Sequence, residues 1–275
     1  MNDVDLSSLR GRSVVVTGST RGFGRVLVSR FAALGARVVV SGPFLDESEE
    51  LAAQLRAAGG DAVSCRGDVT SAEDVAGILR TAQEAFGGVD VWVNNAAYET
   101  PGMSSILDFP DEVWERTTQV NVLGTGRCTL AALAHMRDRG HGVIVNVTGR
   151  GDDLRPTKYS APYGASKAWI RAFTRTLRAE YRESGVQLVA FNPGIMATGR
   201  MDRARFHDTD RDHLRTEKQM DTVVRILGDP PEVAAEALAG FLATDQAAKR
   251  KELRLITPAR VVRGLTGEVT RRVRR

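Results

Sequence analysis

The chain has 275 residues, 42% hydrophobic and 26% charged, with a formal net charge of only +4, a composition ordinary for a folded globular protein. Its length buries a core without disulfides or structural metal, and Cys65 and Cys128 stand outside any CxxC or metal-ligand spacing, so both read as reduced packing residues and no metal site is expected. The opening MNDVDLSSLRGR lacks the order of a secretory signal and no apolar run approaches the roughly 20 residues that span a bilayer, so the expected location is cytoplasmic, with no membrane partner.

In chain order, SVVVTGS (Ser13 to Ser19) predicts a first strand, after which Phe23, Val26, Leu27, Phe31 and Leu34 recur at helical spacing until Gly35. ARVVVSG is a second strand, and a second helix over 47–58 closes at Gly59-Gly60. DAVSCRGD, VDVWVNNA, GVIVNVTG and VQLVAFNPG supply four more strands, with helices near 72–86, 111–138 and 163–184 between them. The strands are continuously apolar, as they are when helices cover both faces of a parallel sheet. From about 195 to 229 the chain is charged and aperiodic, a lid-like excursion before a helix that starts at Pro231. ELRLIT then predicts a short last strand, and an arginine-rich tail follows from about 258 to 275. That tail has no aromatic platforms beside it, so it reads as a solvated helix and nucleic acid is not an expected partner. This alternation predicts an α/β chain: a single Rossmann-fold domain over 1–275 with a doubly wound, mostly parallel seven-stranded sheet.

TGSTRGFG, Thr17 to Gly24, joins the first strand directly to the first helix. Gly18, Gly22 and Gly24 permit a tight turn and close backbone approach to a pyrophosphate, which would rest on the helix N-terminus; Ser19, Thr20, Arg21 and Phe23 complete this candidate loop. A carboxylate at the end of the second strand would bond the ribose of NAD and repel a 2′-phosphate. Ser41 and Gly42, followed by Pro43, stand there instead, and Arg21 offers a guanidinium for that phosphate. Both features favour NADP(H) over NAD(H). The alternative is that Arg21 is only a solvent-exposed turn residue.

Tyr163 and Lys167 lie four apart in YGASK at the start of a helix, and so share one face. A phenol has an ordinary pKa of about 10, too high for proton transfer at neutral pH. Bringing it near neutrality requires roughly 4 kcal/mol of preferential phenolate stabilisation, part of which a neighbouring ammonium supplies. Tyr159 has no lysine four residues on and competes only by proximity.

The spacing Gly-xxx-Gly-x-Gly is similar to the nucleotide motif of the short-chain dehydrogenases/reductases. Further matches follow in the family's order: Asp68-Val69, Asn94-Asn95-Ala96, Asn121, Tyr163-xxx-Lys167, and Asn192-Pro193-Gly194 with Thr198, covering roughly residues 10 to 200. The resemblance implies an enzyme moving a hydride between nicotinamide and a carbonyl or alcohol of a small to medium organic substrate, with Tyr163 as general acid/base. It implies that Asp68 and Val69 bind near the adenine, and that Asn94, Asn95, Ala96, Pro193, Gly194 and Thr198 lie along the cofactor. It also implies that Lys167 holds the nicotinamide ribose and Asn121 orders a relay water. It further implies association through the fourth and fifth helices; a homodimer is expected, with a tetramer as the alternative.

Two departures stand out. The family's serine after the fifth strand is missing; Thr148 is the nearest hydroxyl and is assigned to the substrate carbonyl, the alternative being that it only satisfies backbone. Ala97 replaces a common glycine after Asn-Asn-Ala. In the lid, Arg200, Arg203 or Arg205 either grip a polar or anionic substrate or belong to a solvated cover, and His207 and His213 lack a metal context. A different class of reading, a non-catalytic NADP(H)-binding sensor or scaffold with a degenerate site, draws on the missing serine.

Overall fold

The computed structural model describes residues 5–98, 105–108, 110–196, 221–244 and 246–257. Its centre is a seven-stranded sheet built from β1 (Ser13–Val16), β2 (Arg37–Gly42), β3 (Asp61–Arg66), β4 (Val91–Asn94), β5 (Gly142–Val147), β6 (Val186–Asn192) and a last strand Glu252–Arg254. The order is β3-β2-β1-β4-β5-β6 and then the last strand, and every pairing is parallel. The strand order reverses between β1 and β4, and the crevice above their carboxyl ends is where an open α/β sheet takes its ligand.

Successive strand residues point to opposite faces, so a strand buried on both sides must be apolar throughout. Val14 and Val16 join one core with Leu27, Phe31, Leu238 and Phe241, whereas Val15 joins the other with Trp92, Cys128, Ile144 and Leu188. Covering helices are α1 (Gly22–Ala33), α2 (Leu45–Ala57), α3 (Ala72–Phe86), α4 (Asp111–Thr117), α5 (Thr125–Arg139), α6 (Ala161–Glu180) and a further helix Pro231–Ala243. Helix ends follow local chemistry: the Ser71 side chain accepts from the Asp74 N–H to cap α3, while Gly87 and Gly140 end α3 and α5 in the left-handed conformation.

The sheet and most helices match the sequence reading, with three adjustments. The helix expected over 111–138 is interrupted by a π-helical stretch, Thr118–Gly124, between α4 and α5, and Asn121 sits within it. Helix α6 begins two residues before Tyr163, with Pro162 in its first turn, and ends at Glu180. The excursion after β6 is tied at its base by a two-residue parallel ladder, Ile195–Met196 with Gly228–Asp229. Thr198, Arg200, Arg203, Arg205, His207 and His213 lie outside the described residues, as does the tail from 258.

Candidate active site

The glycine-rich turn sits at the point where strand order reverses, folded against the end of β4. Gly18 adopts φ +62°, and a Cβ there would stand 2.9 Å from Ala96 Cα, so backbone and side-chain space both demand glycine. A Cβ on Gly24 would run into the Gly18 carbonyl. Asn95 holds the turn from the other side, donating through Nδ2 to the Thr17 and Gly18 carbonyls at 3.0 and 3.1 Å. Ser19 and Ser41 latch it to β2: the Ser19 N–H donates to the Ser41 carbonyl, and the Ser41 N–H to Ser19 Oγ, both at 2.9 Å. Both serine side chains are therefore buried in this latch, as is Thr20 against Gly42.

What remains open is the outer side of the turn. No side chain caps the N-terminus of α1, and a Cβ on Gly22 would meet nothing within 4 Å. Free N–H groups beside open space at a helix N-terminus fit a pyrophosphate. Arg21, exposed at the N-cap position, has no ion pair among the described residues. No carboxylate stands at 41–43; Asp46 and Glu47 follow in the first turn of α2. The β2–β3 register sets Arg66 opposite Gly42, with its Nε donating to the Pro43 carbonyl at 3.4 Å and its Nη1 3.3 Å from Asp74. Just past β3, Asp68 accepts from the Thr70 N–H and hydroxyl. Burial pushes its carboxyl upward, but those bonds, together with Arg116 and Arg66, hold it below the usual carboxylate range.

Beside β4 and β5, α6 carries the proton-transfer pair. Lys167 is 2% exposed; its Nζ donates to the Val147 carbonyl at 3.1 Å and lies 5.4 Å from the centre of the Tyr163 ring. The Tyr163 oxygen faces position 149, where a Cβ would stand 3.1 Å from it. Asn121, fully buried, exchanges two hydrogen bonds with the Tyr98 backbone at 2.7 and 2.9 Å and donates to Ser166 Oγ at 3.0 Å. Ser166 Oγ in turn donates to the Tyr163 carbonyl. The amide therefore fastens the first turn of α6 to the π-helical stretch, a kind of irregularity that recurs at functional sites.

Thr148 is engaged within the protein. Its hydroxyl, 2% exposed, lies 2.7 Å from Asp152 Oδ2 and 3.2 Å from the Phe191 carbonyl. Asp152, 3% exposed, also accepts from Asn192 Nδ2 at 2.9 Å and from both Nη atoms of Arg254 at 2.9 and 2.8 Å. A buried carboxylate with this many donors binds the threonine hydroxyl firmly, because each donor left alone there would carry a desolvation cost.

A family model for short chain dehydrogenases matches residues 12–209. The 3beta-hydroxysteroid dehydrogenase 1 of Eggerthella lenta is 36% identical over 87% of this chain and 89% of that protein. The chain belongs to the short-chain dehydrogenase/reductase family. Two solved dehydrogenase/reductase structures superpose on it. A gluconate 5-dehydrogenase from Burkholderia cenocepacia, in complex with NADP and tartrate, has a TM-score of 0.78 at 25% identity, covering 91% of this chain and 96% of that one. A 3-ketoacyl-(acyl-carrier-protein) reductase from Brucella melitensis, complexed with NADH, has a TM-score of 0.77 at 28% identity, covering 90% and 97%.

For this dehydrogenase/reductase, the sequence motifs converge as the family order implies, with Gly18 to Gly24, Asp68, Val69, Asn95, Ala96, Pro193 and Gly194 all near the carboxyl ends of the strands. Asn94 is an exception among the side chains. It is 4% exposed and joins an interior network, accepting from Trp92 Nε1 and donating to Thr129 and Asn146. Three residues escaped the sequence reading: Arg66, Asp152 and Arg254. Arg66 was recoverable from the expected β2–β3 pairing, whereas nothing local marks Asp152 and Arg254 as partners.

Proposed function

We propose that this dehydrogenase/reductase interconverts a carbonyl and an alcohol on a small to medium organic molecule, with NADP(H) as cofactor and Tyr163 as the proton-transferring group. The buried Lys167 ammonium beside the Tyr163 ring, with the phenol oxygen at the mouth of β5, carries this reading. When bound, the dinucleotide supplies or accepts the hydride. In reduction the Tyr163 oxygen hands its proton to the substrate oxygen, and in oxidation it takes one back; the ammonium stabilises the phenolate that remains. Asn121 and Ser166 hold the turn that carries the phenol.

Preference for NADP(H) rests on Arg21 and Arg66 at the end of β2 and on the lack of a carboxylate at 41–43. The two free cysteines, raised by burial to about 11 for Cys65 and about 12 for Cys128, suit a reducing compartment such as the cytoplasm. The exposed apolar side chains of Leu123, Leu130 and Trp169 on adjoining helices support a homodimer.

The deciding experiment follows NADPH and NADH oxidation over a panel of carbonyl compounds, for the native protein and Tyr163→Phe. We expect turnover to fall at least about 100-fold in the variant with cofactor affinity retained. Unchanged turnover would remove Tyr163 from the chemistry. Gly149, which places no side-chain hydroxyl of its own beside the phenol, favours a second reading as a non-catalytic nucleotide-binding sensor. A native protein that binds NADPH yet oxidises none with any carbonyl would establish that reading instead.

A further inference from the structure

The backbone from Val147 to Asp152, running from the end of β5 toward α6, is the surface on which Tyr163 and Lys167 rest. The Val147 carbonyl accepts from Lys167 Nζ at 3.1 Å, and a Cβ on Gly149 would stand only 3.1 Å from the Tyr163 oxygen. Gly151, at φ +95°, packs on Gly164 in the first turn of α6, where a Cβ would come within 2.7 Å of its Cα. Contacts this close transmit displacement, so whatever fixes this turn also fixes the phenol.

Asp152 fixes it. Its N–H donates to the Gly149 carbonyl at 3.2 Å, and its Oδ2 takes the Thr148 hydroxyl at 2.7 Å. Arg171 of α6 donates to its carbonyl at 3.1 Å, and Arg254 of the last strand gives the buried carboxylate its counter-charge. Asn192 extends the chain of bonds: its Nδ2 donates to Asp152 Oδ2 at 2.9 Å, and its Oδ1 accepts from the Gly194 N–H at 3.0 Å. Gly194, at φ +81°, belongs to the turn after β6 that the family resemblance places along the cofactor. One carboxylate oxygen thus bonds to the phenol side and to the cofactor side of the crevice.

We propose that Asp152 is a positioning residue, which through Thr148 and Asn192 sets the turn beneath Tyr163 against the Pro193–Gly194 turn; this rests on the role of Tyr163 proposed above. Asp152 acts through these neighbours and not on the substrate, so its effect is on alignment. A misplacement on the order of 1 Å costs about 100-fold in rate. Asparagine at 152 keeps one oxygen for Thr148 and Asn192 and gives up the charged pair with Arg254. Alanine gives up all of these bonds.

The test follows single-turnover oxidation of bound NADPH by a carbonyl compound that the native protein reduces, at a temperature where circular dichroism shows each variant folded. NADPH affinity is measured beside it by fluorescence titration. Asp152→Ala should slow the turnover of bound NADPH at least about tenfold while affinity changes less than about threefold, and Asp152→Asn should recover most of the rate. In cofactor-free Asp152→Ala, amide hydrogen exchange should quicken at least about tenfold over 148–152 and at Gly194, with β1 and β2 unchanged. A purely structural role would lower the fraction of protein that binds NADPH and quicken exchange throughout, leaving the rate per bound cofactor unmoved. A smaller loss of rate in the alanine variant overturns the proposal, as does an asparagine rate no higher than alanine's. If the alanine variant does not fold, Asn192→Ala, which cuts the link to Gly194, decides by the same rate criterion. Any of these outcomes, in a protein that reduces the carbonyl compound, leaves the reductase reading standing. A native protein that binds NADPH and reduces no carbonyl sinks that reading and this proposal together.

Discussion

Arg21 stands in the turn before α1 and Arg66 at the end of β3, and their freedom differs. Arg66 already touches Asp74 and the Pro43 carbonyl, while Arg21 has no ion pair among the described residues and lies at the lip of the turn. A guanidinium that meets a phosphate at an exposed site contributes one charge-assisted pair of hydrogen bonds, and its removal costs about 1.4 kcal/mol, or tenfold in affinity. Arg21→Ala should therefore weaken NADPH about tenfold or more while NADH changes less than about threefold, measured by fluorescence titration of each cofactor. Equal losses for both would mean that Arg21 does not read the 2′-phosphate.

Between elements, the apolar cores are joined by polar, long-range contacts. Asp152 joins the segment after β5 to the last strand through Arg254, and its carbonyl accepts from Arg171, which itself pairs with Glu252 on that strand. Asp152→Ala would leave Arg254 without its carboxylate, and Thr148 and Asn192 with only the longer bonds to the Phe191 and Gly149 carbonyls. Arg254 keeps partial access to solvent, so a loss of about 2–3 kcal/mol is expected by denaturant unfolding. A loss below about 1 kcal/mol would show that the network is replaceable by water.

His135 makes a second such link, from α5 to the start of β4: its Nε2 accepts from the Val89 N–H at 3.2 Å. Burial first, and then the Arg139 guanidinium, hold its pKa below the ordinary 6.5. The unfolded chain thus takes up the proton first on acidification, so this contribution is complete above about pH 6.5 and is lost as pH falls through the lower folded value. Melting temperature should drop between pH 7.5 and pH 5.5, and drop less in His135→Gln, which carries no titrating group there; parallel slopes for the two proteins would refute this link's role.

On the scale of the whole molecule, the π-helical stretch, α5 and α6 expose an apolar strip among the described residues. Leu123 and Leu130, seven residues apart, are 42% and 53% exposed; Trp169 is 36% exposed, stacks on Phe173 at 4.6 Å, and overlies Gly126 between them. Trp169, packed beside Gly126, which lies between the two leucines in sequence, links them, and the three make one exposed apolar group. Buried at its centre, a charge would be costly. Leu130→Glu should convert a dimer to monomer in light scattering coupled to size exclusion, with the fold intact by circular dichroism. A native protein that elutes as monomer at micromolar concentration would remove this strip as a dimer surface.

Residue order alone determined the strand and helix alternation, the glycine-rich turn and the Tyr163–Lys167 pairing. Each is written at short range, in apolar periodicity, in the need for φ > 0 or close approach, and in a four-residue helical offset. Asn121 was legible as a position and not as a fastening, because its partners Tyr98 and Ser166 arrive from other elements. The fate of Thr148 was not legible at all. Its chemistry suits a substrate carbonyl, yet Asp152 reaches it within one turn, held by an arginine 102 residues farther along the chain. Only sheet formation brings the last strand beside β6, and only that juxtaposition decides that the Thr148 hydroxyl is engaged by Asp152.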